Sequence, residues 1–158
     1  MLLLSKLLND KGITVSTQKE KALQMIYDNQ VILITSGTGS GKTVLTPKFV
    51  LHALNYKAKI AITNPKRTPS RENAIFASKC LDVELGKQVG IKYRGSNKSE
   101  YSNLSQLVYC TDGHILQKLK GNQDPLLSEY DSVIIDEAHE RNVNIDLLML
   151  LLKDLVLK

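Results

Sequence analysis

Apolar and polar positions along the chain alternate in a way that separates short, wholly apolar runs from longer amphipathic ones. Val31 to Thr35, Ala58 to Thr63, Val89 to Tyr93, Leu107 to Thr111 and Ser132 to Asp136 are short and rich in β-branched or apolar residues, and each predicts a buried strand. Between them, longer segments carry apolar residues at helical spacing. Thr17 and Glu20 form a capping box for a helix over about 18–28. Further helices are predicted from the end of the Gly-rich loop through Phe49, Val50, Leu51 and Leu54, over about 70–85, over 114–119 and over about 144–155. In the last, Leu147, Leu148, Leu151 and Leu155 share one face. Strands apolar throughout and separated by helices imply an α/β fold, a mostly parallel central sheet with helices on both faces. Ligands of such sheets bind at the carboxyl ends of the strands, where the loops after Thr35, Thr63, Thr111 and Asp136 are expected.

The chain of 158 residues is long enough for one domain with its own core and too short for two. We expect residues 1–16 to be a helical lead-in and 17–158 the domain proper. Met1 to Leu8 is apolar, but Lys6 interrupts it and Asn9-Asp10-Lys11 ends it, so neither an export signal nor a membrane span is expected. Cys80 and Cys110 lack metal-site or disulfide-framework spacing and suit a reducing, intracellular setting. The net charge of +5 and pI of about 9.1 make a polyanion a natural partner. Most of that charge is lysine; the four arginines are Arg67, Arg71, Arg94 and Arg141.

Two segments carry recognisable chemistry. Ser36-Gly37-Thr38-Gly39-Ser40-Gly41-Lys42-Thr43 lies between a predicted strand and a predicted helix. There glycines let successive N–H groups point at phosphate oxygens, Lys42 reaches the β- and γ-phosphates, and the Thr43 hydroxyl can take a Mg2+ position. Ser36 stands where the strict phosphate-loop pattern has glycine. Asp136-Glu137 closes the apolar run Val133-Ile134-Ile135. Two adjacent carboxylates at such a strand end suit a cation and an activated water.

Gly39-Ser40-Gly41-Lys42-Thr43 together with Asp136-Glu137-Ala138-His139 and Glu140-Arg141 resembles the DEAH/DExH helicases of superfamily two. Pro65-Lys66-Arg67 resembles that family's Pro-Arg-Arg motif with Lys66 as a departure, and Thr111-Asp112-Gly113 matches its Thr-Asp-Gly motif. The resemblance spans about 13–158. Gly37 and Gly95 depart from cellular members, and with Tyr93-Arg94-Gly95-Ser96 they look more like viral helicases of the poxvirus type. A viral source would add the virion to an otherwise cytoplasmic or nuclear location.

The resemblance implies a first RecA-like P-loop NTPase domain using ATP and Mg2+. It implies that Gly37, Thr38, Gly39, Ser40, Gly41, Lys42 and Thr43 hold the triphosphate, and that Thr43, Asp136 and Glu137 serve the metal. Glu137 would polarise the attacking water, and His139 would connect the nucleotide site to a second RecA-like domain. Lys66, Arg67 and Thr111 would touch the backbone of single-stranded RNA, with no membrane involved. DNA is the alternative strand, since backbone contacts alone do not read the 2′-hydroxyl, and a nucleotide-dependent binding module is the non-enzymatic alternative. The family's Ser-Ala-Thr motif and an arginine finger have no counterpart after Glu137, where the only arginine is Arg141. Such fingers are worth on the order of 10³–10⁵ in rate, so the domain alone is expected to be nearly inert.

Overall fold

The computed structural model describes residues 19–35, 41–121 and 124–157. The chain divides into two compact units, residues 1–57 and 58–158. The first contains α1 (Lys19–Asp28) and α2 (Lys42–Ala53), which pack on each other. Gly41 precedes α2 in the left-handed conformation, φ 81°, which glycine adopts without steric cost. The lead-in over 1–16 and the capping-box Thr17 lie outside the described residues.

The expected strand over Val31–Thr35 does not form: no strand is assigned there, and Val31 and Leu33 are exposed. A β-branched run becomes a strand only when another strand accepts its N–H and C=O groups, and no ladder among the described residues includes this run.

The second unit is built on a four-stranded parallel sheet of β1 (Ile60–Asn64), β2 (Val89–Lys92), β3 (Leu107–Thr111) and β4 (Ser132–Ile135), in the order β2-β3-β1-β4. The other helices are α3 (Arg67–Leu81), α4 (Asp112–Lys120) and α5 (Val143–Val156). All five β1 residues are buried. Ala61, Val108 and Cys110 form one face, where α4 and α5 deliver Ile115, Leu116 and Leu148, and Leu127 and Tyr130 close the cluster. Ile60, Ile62, Leu107 and Tyr109 alternate to the opposite face, and α3 packs on the sheet with Ala74 and Ala77 fully buried. Each fully buried Ile or Leu contributes roughly 1.5–3 kcal/mol, so the sheet is a firm base for the loops at its edge.

Local chemistry sets the boundaries. α3 begins at Arg67, ahead of the expected Ser70, because Pro69 falls in the first turn, where a helix needs no N–H. It stops at Leu81 rather than near Leu85. Asp82 turns left-handed at φ 54°, and the Val83 N–H closes on the Ser78 carbonyl at 3.0 Å. α5 starts where the Asn142 side chain accepts the Ile145 N–H at 2.9 Å.

Candidate nucleotide and nucleic-acid site

Because the strands are parallel, β1, β3 and β4 all end at one edge, and their following loops emerge together. After β1 come Lys66, the N-cap of α3, and Arg67, its first residue; Thr111 ends β3 and caps α4; and Asp136, Glu137 and His139 follow β4. These six of the expected site residues are therefore brought to one edge. Gly41, Lys42 and Thr43 lie at the start of α2 in the other unit. Gly37, Thr38, Gly39 and Ser40 lie outside the described residues.

Main-chain bonds fix the loops. The Asp136 N–H donates to the Thr63 carbonyl at 3.0 Å, extending the β1–β4 ladder by one residue. Asp136 Oδ1 then accepts the Glu137 N–H at 3.1 Å. Glu137 is left-handed (φ 54°), a 3₁₀ turn spans Ala138–Glu140, and Arg141 is left-handed again (φ 47°). Two non-glycine residues in this region within five positions store backbone strain of order 1–3 kcal/mol each. Arg141 helps hold the turn: its Nε lies 2.6 Å and its Nη2 3.3 Å from the two carboxylate oxygens of Asp146 on α5. His139 Nδ1 stands 3.4 Å from Glu137 Oε2, both side chains reaching solvent.

The basic loop is tied to the other two. The Lys66 N–H donates to Asn64 Oδ1 at 3.2 Å. The buried Ser70 hydroxyl lies 3.0 Å from both the Lys66 and the Cys110 carbonyls and is shared between them, joining the loop after β1 to the end of β3. Arg67 sits over the Tyr93 ring at 6.0 Å. Thr111 is the N-cap of α4, yet its hydroxyl makes no capping bond.

Several residues that matter here were not singled out by the sequence. Asp112 is buried, and neither carboxylate oxygen has a hydrogen-bond partner among the described residues; the neighbouring Thr63 hydroxyl is in the same condition. Burial pushes the Asp112 carboxyl up; the nearby Thr63 hydroxyl pulls the other way, and the Glu140 charge adds a smaller push upward. Lys66 Nζ reaches Glu140 Oε1 at 3.3 Å.

Under the sheet lies a second polar group. Glu129 Oε1 is 3.2 Å from both Lys59 Nζ and Lys92 Nζ, Oε2 accepts from Lys118, and the Tyr101 hydroxyl donates to Oε1 at 2.8 Å. Burial alone would push the Glu129 carboxyl up. The bonds from Lys118, Tyr101, Lys59 and Lys92 outweigh that and hold it well below the usual range. His114 is held at about 4 by burial first and then by Lys92 and Lys118. The available signal was a lysine, 59 and again 92, in or beside an otherwise apolar run.

With this geometry in place, comparison decides the family. Residues 16–155 match the DEAD/DEAH box helicase family. The chain belongs to that family. Its fold is accordingly the RecA-like α/β fold, and the parallel sheet agrees.

Among its relatives is the L540 protein of Acanthamoeba polyphaga mimivirus, 44% identical over 137 residues, 87% of this chain and 19% of that protein. The ATP-dependent RNA helicase HrpA of Borreliella burgdorferi is 37% identical over 149 residues, 94% of this chain and 18% of the relative. HrpA of Escherichia coli is 39% identical over 146 residues, 92% of this chain and 11% of the relative. The chain thus spans less than a fifth of the length of these relatives. Among the described residues, no helix is long and apolar enough to cross a membrane.

Proposed function

We propose that residues 17–158 are the first RecA-like motor domain of an ATP-dependent RNA helicase, which couples ATP hydrolysis to unwinding or remodelling of RNA. The observation that carries the reading is that three strand ends lie on one edge of the parallel sheet. It sets the acidic Asp136-Glu137 beside the basic Lys66-Arg67 and Thr111. Relatives named ATP-dependent RNA helicases support ATP and RNA as the ligands.

In this reading the N–H groups of 37–43 cradle the triphosphate, and Lys42 neutralises its β- and γ-oxygens. The hydroxyl of Thr43 and the carboxylates of Asp136 and Glu137 are hard oxygen donors of the kind Mg2+ takes. No group of three or more His, Cys, Asp or Glu side chains among the described residues could hold a metal ion alone. Bound at those oxygen donors, Mg2+ would neutralise charge on the transferred phosphoryl group. Glu137 accepts a proton from the attacking water, His139 beside it links the site to a second RecA-like domain, and Lys66, Arg67 and Thr111 bind the backbone of single-stranded RNA.

The test is hydrolysis in the protein expressed from its whole gene, with and without single-stranded RNA. Lys42→Ala should nearly abolish turnover. Glu137→Gln should keep nucleotide binding and slow single-turnover hydrolysis by about 10²–10⁴. Normal turnover by Lys42→Ala refutes the phosphate-loop role. Equal stimulation by DNA moves the assignment to a DNA translocase.

A further inference from the structure

The segments after β1 and β4 meet at a residue to which nothing above assigns a role, Glu140. It ends the 3₁₀ turn that follows Glu137, three residues beyond that carboxylate. Its Oε1 takes Lys66 Nζ at 3.3 Å, although the two residues are 74 positions apart. Its charge is also felt, more weakly, by the buried carboxylate of Asp112, next to Thr111. Lys66 is the more exposed partner, its side chain 68% accessible, so its ammonium can be reached by an incoming anion. The turn that Lys66 holds is bounded by the left-handed Glu137 and Arg141, a strained segment whose conformation its neighbours must maintain.

We propose that Glu140 is a positioning residue that stands in for an RNA phosphate on Lys66, so that phosphodiester binding displaces it and reports RNA occupancy to the turn carrying Glu137. The inference rests on the reading of Lys66 as a backbone contact. Without RNA, the ammonium is shared with the turn. With RNA, a phosphate takes the ammonium, and Glu140 is left without its counter-charge beside the incoming phosphate. That repulsion favours a different setting of the turn. Linkage makes the coupling reciprocal: whatever releases Glu140 from Lys66 must also tighten RNA.

The experiment is a double-mutant cycle in the protein expressed from its whole gene, measuring affinity for single-stranded RNA without nucleotide and ATP hydrolysis with and without RNA. Glu140→Gln should tighten RNA binding about two- to fivefold, the scale on which an exposed ion pair competes. It should also raise the RNA-free rate relative to the RNA-saturated rate. Glu140→Asp keeps the charge but shortens the reach to Lys66. It should tighten RNA in the same direction, which a general loss of negative charge would not produce. Both effects should vanish in a Lys66→Ala background. If Lys66→Ala leaves RNA affinity unchanged, the backbone-contact reading fails, and this proposal with it. If Lys66→Ala weakens RNA but the Glu140 variants do not tighten it, the contact stands and the competition is refuted. Tightening that persists in Lys66→Ala, or an unchanged ratio of RNA-free to RNA-saturated rates, also overturns the proposal.

Discussion

Replacing Glu129 with Gln perturbs one atom type at the centre of the polar group under the sheet and should be costly. The carboxylate compensates three ammoniums whose side chains are only 13–28% exposed. Breaking a fully buried ion pair by removing one partner costs about 3–5 kcal/mol, because the other charge stays behind. Residual solvent contact screens part of this, leaving about 2–3 kcal/mol. For a chain of this length that is a fall in Tm of roughly 5–10 °C. The pH dependence has a definite sign. Glu129 is held below its ordinary value of 4.5, so its contribution is fully present above that pH and is lost as pH falls through the range beneath it. The assay is thermal and urea unfolding between pH 7.5 and 3.5 for wild type, Glu129→Gln and Glu129→Gln with Lys118→Met. The double variant should recover part of the loss, since it removes one uncompensated ammonium. A Glu129→Gln protein that melts within about 1 °C of wild type at pH 7.5 would show that water already screens the cluster.

Other consequences are equally direct. His114 is neutral when folded down to about pH 4, whereas the unfolded ring protonates near 6.5. Its burial therefore costs stability progressively as pH falls from about 6.5 to about 4, and His114→Gln should flatten urea midpoints over that window. Gly86 has φ +92°, and a Cβ there would stand 2.2 Å from the Ser99 carbonyl oxygen. Gly95 has φ +89° but open space. Gly86→Ala should thus cost about 2 kcal/mol or more in urea unfolding, and Gly95→Ala only about 1 kcal/mol; equal costs would refute the clash. Arg67→Ala should weaken all single-stranded RNA sequences alike and reduce the salt slope by about 0.7. An unchanged slope would confine Arg67 to its place over Tyr93.

What the sequence disclosed follows from how local each feature is. Leu107–Thr111 forms the strand its apolar run predicts, and the helices over 19–28 and 143–156 follow their periodicity within a residue or two. Val31–Thr35 has the same composition as the strands that formed, yet lacks a partner among the described residues, and no window of five residues encodes a partner. The site divides in the same way. Asp136-Glu137 and Lys66-Arg67 are contiguous motifs and were legible. The Glu140 link to Lys66 spans 74 positions, and the Glu129 group draws in Lys59 and Lys92 from 70 and 37 positions away; each of these charges alone reads as an ordinary surface charge. Asp112 was visible only as part of a motif; its burial comes from the packing of α4 against the sheet.

The strand order also governs how the unit is made. β1 occupies an inner position with all five residues buried, yet Ile60 finds its neighbours in Leu107 and Ser132, both synthesised much later. At roughly 5–20 residues per second, the Ile60–Asn64 segment spends seconds on a ribosome with nothing to pair against. Closing such long loops before any contact rewards them makes parallel pairing slow. Refolding from denaturant should show the same delay, with sheet formation waiting on the encounter of β1 with β3, and chaperones that shield apolar nascent segments should raise the yield.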